Sequence, residues 1–390
     1  MRGNPEGADF HAAHHGTLGT PTASNRILIH LPDRGVSQCE TRKHYAFSTR
    51  GTCPTLWRAY APETHRVKLA SFHAEKQNRI GLAISDQTLV DVDELLAKAG
   101  VSARVLPRSM LELIEAPPEL WQSFREAARG AVVDPGKLTR YAANEVEWHA
   151  PVRNPSKICC LALNNSANAE RILSGPKHPA MFVKPASSLI GHRGQIVCLP
   201  EYGRTHPEPE LAVVIGKRAK HVDAANAYEY VFGYTIHNDI TSPTMRGEDT
   251  FHYRAIHPGD DDAAAAKYVD TWVTYPGRYK CADTFSCMGP WLVTREDVPE
   301  PHNLSVACSH RGREITADNT SNLSYRIPQV IAFISRFMTL LPGDIISMGT
   351  ALSKAPAGGA VQNIDLNKLG GPVSVIIERL GTLTNHVTHQ

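Results

Sequence analysis

His206-Pro207-Glu208-Pro209-Glu210-Leu211-Ala212-Val213-Val214-Ile215-Gly216 is the stretch on which the fold and the chemistry both turn. The apolar run Leu211 to Ile215 has the length of a strand, far short of the ~20 residues a membrane helix needs. Glu208 and Glu210 stand two apart at its entry, and a period of two puts both carboxylates on one face. Pro207 and Pro209 stiffen that entry and suit a sheet edge. Carboxylates so close repel unless something cationic lies between them. Alone, the pair also fits a solvated strand edge. Downstream, Tyr230-Val231-Phe232-Gly233-Tyr234-Thr235-Ile236-His237-Asn238-Asp239 is a second strand ending in an acid. Three carboxylates from two strands make an oxygen-rich site suited to Mg²⁺, Mn²⁺ or Ca²⁺ rather than zinc.

Around these two strands, Gly and Pro punctuation separates further strand candidates at Lys157–Leu163, Gln195–Leu199, Pro290–Val293, Leu304–Ser309, Asp344–Met348 and Pro372–Arg379. One helix is clear. Pro328 suits its first turn, Val330, Ile331, Ile334, Phe337 and Met338 recur at helical spacing, and Pro342-Gly343 stops it. Many strands with few helices predict a β-rich α+β domain over 151–390. Ahead of it, Val67 to Phe72, Ile80 to Ile84 and Thr88 to Val92 read as a β-meander. Short helices follow at Leu95-Leu96, Met110 to Ile114 and Leu120 to Phe124. That is a small N-terminal α+β domain over 66–150. Residues 1–65, rich in His, Gly, Thr, Pro and Ser without sustained periodicity, read as a poorly ordered extension.

With 41 Lys and Arg against 39 Asp and Glu, the net charge is +2. So small an excess offers no broad basic face to nucleic acid or to anionic lipid. The eight cysteines are scattered without a C-x-x-C pair. Reduced thiols in a cytoplasmic protein are expected, with Cys159 and Cys160 pointing to opposite faces of one strand.

Taken with Leu341-Pro342-Gly343-Asp344-Ile345-Ile346-Ser347-Met348-Gly349-Thr350, the two acidic strands resemble the fumarylacetoacetate hydrolase family. Lys157-Ile158 leading to Leu163-Asn164, Phe182-Val183-Lys184-Pro185-Ala186-Ser187-Ser188, Met288-Gly289-Pro290-Trp291-Leu292-Val293-Thr294 and Gly381-Thr382-Leu383-Thr384-Asn385 match in order. The likeness runs from about 150 to 387, and residues 66–148 resemble the family's small N-terminal domain. The resemblance implies a mixed β-sandwich roll, usually dimeric, with a divalent metal (Mg²⁺, or Mn²⁺ or Ca²⁺) held by Glu208, Glu210 and Asp239. It implies small 2-oxo or β-diketo acid substrates whose enolate the metal stabilises. It makes Lys280 a catalytic ammonium, and it places Gly349 and Thr350 against the substrate carboxylate.

The departures from the family pattern bear on mechanism. Where hydrolytic members carry a His and a Glu that activate water, this chain has Asn168 and Arg171, with Glu170 one residue out of register. Asn accepts no proton at pH 7, so Glu170 and Asn168 are catalytic candidates only by position. Pro243 replaces an arginine, and Arg246 stands where it can take over anion binding. The stretch between Asp239 and Lys280 is longer than in most relatives. It reads as a loop over the pocket or at a dimer contact, with His252, Arg254 and His257 as substitute bases. The expected activity is metal-dependent C–C hydrolysis of an acylpyruvate-like acid. Isomerisation or decarboxylation of a 2-oxo dicarboxylic acid is the near alternative, and a non-catalytic metal-binding relative the alternative of another class.

Overall fold

The computed structural model describes residues 66–166, 172–261, 264–352 and 360–390. The extension at 1–65, and the expected roles of Asn168 and Glu170, lie outside the described residues. The N-terminal module follows the sequence: β1 (Lys68–Ala74), β2 (Gln77–Ser85), β3 (Thr88–Asp91), α1 (Val92–Lys98), α2 (Met110–Ile114), α3 (Pro118–Val133), β4 (Arg140–Ala142) and β5 (Glu147–Trp148). Asp91 caps α1 by accepting from the Asp93 amide, and Ser109 caps α2 by accepting from Glu112. Pro118 opens α3 where its missing N–H costs nothing.

The remainder holds β6 (Ile158–Ala162), β7 (Ala180–Lys184), β8 (Leu189–Ile190), β9 (Gln195–Cys198), β10 (Pro209–Ile215), β11 (Val231–Asp239), α4 (Pro243–Glu248), β12 (Thr250–Pro258), β13 (Ala266–Thr274), α5 (Gly277–Cys281), β14 (Ser286–Thr294), β15 (Ser305–His310), β16 (Arg313–Asn319), α6 (Ile327–Phe337), β17 (Ile345–Thr350), α7 (Leu366–Leu369), β18 (Val373–Ile377) and β19 (Gly381–His389). One long mixed sheet runs β4-β3-β2-β1-β14-β11-β10-β17-β6-β7, so the N-terminal meander continues the catalytic sheet through the pairing of β1 with β14. From the edge strand β7 the chain returns to β8, which pairs with β14, curling the six strands β14 to β7 back on themselves. A second sheet, β16-β15-β18-β19-β9, covers one face, giving the mixed β-sandwich roll.

This layering explains the unbroken apolar run. Leu211, Val213 and Ile215 point into the core shared with the second sheet, while Ala212 and Val214 point into the core under α1–α3. A strand covered on both faces needs no polar alternation. Cys159 and Cys160 divide between the same two cores. The 250–274 insertion is not a loop: β12 and β13 form a nine-residue antiparallel ribbon.

Behind the site, the Leu341-to-Asp344 turn sets the start of β17. The buried Asp344 carboxylate accepts from Ser156 Oγ (2.6 Å), the Lys157 amide (3.1 Å), Lys157 Nζ (2.5 Å) and the Leu341 amide (2.8 Å). Asp344→Ala orphans these donors, and urea unfolding should show a loss of about 3–5 kcal/mol. A loss under about 1 kcal/mol would mean that water replaces the carboxylate.

Candidate metal centre

Register brings the acids together. In the antiparallel β10–β11 pair, Glu210 stands opposite His237 and Pro209 opposite Asn238, so the start of β10 meets the end of β11. On its other side Glu210 pairs with Thr350, the last residue of β17. Glu208 is fixed just ahead of β10 by its amide, which donates to Asn238 Oδ1 (3.0 Å). Carboxylate oxygens of Glu208, Glu210 and Asp239 all lie within 4.8 Å of one another. Oxygens that close fall within the reach of one hard dication, whose bonds run ~2.0–2.6 Å. The set is all oxygen, which suits Mg²⁺, Mn²⁺ or Ca²⁺.

Two ammonium groups face the acids. Lys280, on α5, donates to Glu208 Oε2 (2.5 Å) and Asp239 Oδ2 (2.7 Å), with its nitrogen 5.3 Å from the centre of the Phe182 ring. Lys184, at the end of β7, is fully buried and holds Asp239 Oδ1 and the Phe285 carbonyl (2.8 Å). Burial by itself would raise Asp239, but Lys184 and then Lys280 hold its carboxyl below the usual range. Glu208 is likewise held low, Lys280 and then His206 overcoming the effect of burial. Lys280 is raised despite its burial, first by Asp239 and then by Glu208.

Glu210 is the exception. Burial, Asp239 and Glu208 push it up to about 8. Three carboxylates against two lysines leave one negative charge unmatched, and a proton on Glu210 relieves it. A dication would relieve it better, so the residues fit the metal the acids imply. Loading must expel that proton below pH 8, so affinity should climb up to about tenfold per unit towards pH 8 and level off above it. Calorimetry in buffers of different ionisation enthalpy checks this; release of no proton at pH 7 would contradict it. Because the folded pKa lies above the ordinary 4.5, this carboxyl's stabilising contribution is present at low pH and lost as pH rises through about 8. The metal-free protein should therefore melt lower at pH 8 than at pH 6.5, while the loaded protein stays level.

Glu210 is held by Ser347 Oγ (2.5 Å) and the Gly349 amide (3.2 Å) on Oε2, with Thr350 Oγ1 at 3.0 Å from Oε1 and 3.1 Å from Glu208 Oε2. Gly349 and Thr350, expected against the substrate, thus orient the carboxylates. Gly349 has φ +95°, and an added Cβ would stand 2.9 Å from Asn164 Cβ, so glycine is required for the amide to reach Glu210. Asn164 secures the same turn by donating to the Met348 carbonyl (2.7 Å). His237 Nδ1 lies 2.7 Å from Ser347 Oγ, and its buried Nε2 has no partner among the described residues. Burial lowers this imidazole to about 3, so it is neutral. With Glu210 ionised, Ser347 Oγ–H donates a hydrogen bond to the carboxylate and His237 Nδ1–H donates to Ser347 Oγ.

The other sequence candidates make none of these contacts. Arg246 is exposed on α4, the short helix that follows Asp239. The suggested substitute bases do not meet the acids: His252 stacks on Trp272 (4.2 Å, 9°) and Arg254 pairs with Asp270 (2.8 Å), both on the exposed ribbon. Sequence reasoning missed Lys184 as a site residue, along with His206 and Ser347. Lys184 left a signal, a lysine closing the apolar run Met181-Phe182-Val183 on the same strand face as Phe182, since a buried lysine requires a partner. Two larger clefts, of ≈ 700 and ≈ 560 Å³, are lined around Trp121 and Phe232 and around Trp148 and Trp291, away from the carboxylates.

Residues 157–388 match the fumarylacetoacetate (FAA) hydrolase C-terminal family, and the chain belongs to that family. It is 31% identical over 284 residues to the human mitochondrial oxaloacetate tautomerase FAHD2A, covering 72% of this chain and 80% of that protein. It is 30% identical to the oxaloacetate tautomerase YisK of Bacillus subtilis over 82% of this chain and all of the relative. Among solved structures, maleylpyruvate hydrolase from Sphingobium sp. SYK-6 in complex with manganese(II) ion and pyruvate is similar over 83% of this chain and 99% of that one, with a TM-score of 0.58 and 26% identity. The family's enzymes include hydrolases, isomerases and tautomerases.

Proposed function

We propose that this chain is a divalent-metal-dependent enzyme that interconverts the enol and keto forms of a small 2-oxo dicarboxylic acid of the oxaloacetate type. The observation that carries this is the cluster of three carboxylates and two lysines; the histidines that reach it among the described residues, His206 and His237, are buried against Glu208 and Ser347. Moving a proton between an enol oxygen and the adjacent carbon requires an electrophile and a proton carrier but no activated water. A bound dication would polarise the 2-oxo group and favour the enolate. The chain's own residues supply the rest. Glu208 and Lys280 keep 15% and 10% of their side chains accessible, against 1% for Glu210 and Asp239, which supports a role for them beside the reacting atoms. The enol hydroxyl gives up its proton to solvent water and the carbon takes one from water, with the Lys280 ammonium balancing the charge of the enolate between the two events. Arg246 is the candidate partner of the distal carboxylate, while Asn168 and Glu170 lie in the segment that separates hydrolytic relatives from this chain. The two relatives called oxaloacetate tautomerase, near 30% identity over most of this chain, support tautomerisation over the hydrolysis first expected. Free cysteines at 159, 160, 198, 281, 287 and 308 support a reducing compartment such as the cytoplasm.

The test is stopped-flow decay of the enol absorbance of oxaloacetate, with Mg²⁺ or Mn²⁺ and with chelator. Acceleration beyond the metal-only control, lost on chelation, is expected. A decay no faster than that control would overturn the proposal. The hydrolytic reading is favoured by the likeness to maleylpyruvate hydrolase. It would win if acetylpyruvate were split to acetate and pyruvate faster than oxaloacetate tautomerises.

A further inference from the structure

The ≈ 560 Å³ cleft beside Trp148 and Trp291 adjoins another of ≈ 490 Å³, and the two share Asn144, Trp148, His192 and Arg193 in their walls. That shared wall stands on a rigid turn. Gly191-His192-Arg193-Gly194 follows β8, and Asn385 Nδ2 donates to the carbonyls of Gly191 (2.9 Å) and Gly194 (3.0 Å). The Arg193 amide donates to the Thr384 carbonyl (2.7 Å). Arg193 is held at φ +63°, a left-handed conformation that a non-glycine residue keeps only when its surroundings impose it.

The cleft is rich in donors that lack acceptors. His192 Nδ1 accepts from the Thr384 amide (3.1 Å), and burial, then Arg193, push the imidazole down to about 4. It is therefore neutral with its proton on Nε2, which has no partner among the described residues. Trp148 gives its indole N–H to the Ala143 carbonyl (2.9 Å). The Trp291 indole, packed against it at 5.1 Å and only 3% exposed, has no acceptor among the described residues. A buried indole N–H ordinarily finds one. A Cβ at Gly381 (φ +91°) would stand 3.0 Å from Trp291 Nε1, so glycine there keeps that donor uncovered. Arg153 and Arg193 line the same space, and neither is ion-paired among the described residues. Of the acids on the walls, Asp86 is held by Lys68 (2.8 Å), which leaves Glu147 against two guanidiniums.

We propose that this cleft is a second binding site, separate from the metal centre, for a small oxyanion of the carboxylate or phosphate class. Such an anion takes several N–H donors at once, and the planar fork of a guanidinium suits both groups. Concave walls concentrate the field of the two arginines. His192, Trp148 and Trp291 meet edge to face (5.1 Å and 84°, 5.1 Å and 74°) and offer the rest of the ligand an aromatic wall. The site uses none of the three metal-facing carboxylates or their lysines, so it stands whatever reaction they perform.

The test is titration of the full chain, without added metal, with inorganic phosphate and with citrate, followed by calorimetry and by the indole N–H resonances. One equivalent of the better probe should bind with a submillimolar dissociation constant and move the Trp291 signal, identified by its absence in Trp291→Phe. Tighter phosphate would name a phosphorylated ligand, tighter citrate a carboxylic acid. The double variant Arg153→Gln, Arg193→Gln should bind at least about 10-fold more weakly, and Lys280→Met as wild type does. Saturation by neither probe would overturn the proposal, as would saturation that leaves the Trp291 resonance in place. So would undiminished binding in the folded arginine variant, or loss of binding in Lys280→Met, which would put the anion at the metal centre instead.

Discussion

Glu210→Gln is expected to lower divalent-metal affinity at least about 100-fold while leaving the metal-free fold as stable as before or more so. The two effects have one origin. Glu210 is buried beside Asp239 and Glu208, and these three raise its pKa to about 8. A glutamine keeps the shape and still accepts from Ser347 and Gly349, the donors that hold Oε2. It removes the charge that the metal-free protein tolerates least. Repulsion lost in the empty site is ligand strength lost in the filled one. Mn²⁺ titration followed by electron paramagnetic resonance, with a melting curve for each state, separates them. A variant that bound Mn²⁺ as wild type does would show that Glu208 and Asp239 suffice. One that unfolded without metal would show that the glutamate matters for packing alone.

How much of this was legible beforehand follows from which residues act through local pattern and which through topology. The start of β10 declared itself, because two carboxylates ahead of five apolar residues are a local signal, and Asp239 closes its strand in the same way. Lys280 could be placed only by resemblance, since nothing local distinguishes it from a surface lysine. Lys184 was passed over because its partner Asp239 is 55 residues away, across the curled sheet. Ser347 reads as a small core residue until β17 lies beside β10. The ribbon failed for the opposite reason. Its alternation is real, but the sequence carries charges and aromatics on both faces, so no buried side announces a strand. That Thr350 and Gly349 reach Glu208 and Glu210 was not legible, because a motif locates a turn without saying which groups its hydrogen bonds will meet.

Lys280→Met should cut turnover by about 10²–10³-fold without weakening metal binding. Methionine keeps most of the stem and its contact with Phe182 while deleting the ammonium that reaches Glu208 and Asp239. In the metal-free protein that ammonium occupies oxygens of two of the three acids, so a dication competes with it, and affinity in the variant should hold or rise. The metal-free variant should melt lower, because Glu208 and Asp239 each lose one of their cationic partners, and metal should restore it. Lys184→Met makes the contrast. Its side chain is fully buried against Asp239 and the Phe285 carbonyl, out of reach of any substrate. That change should cost about 3–5 kcal/mol of stability in either state, with turnover per folded, loaded molecule much less affected. Parallel losses of affinity and turnover in both variants would mean that the lysines only brace Asp239, and the charge-balancing role would pass from Lys280 to another group.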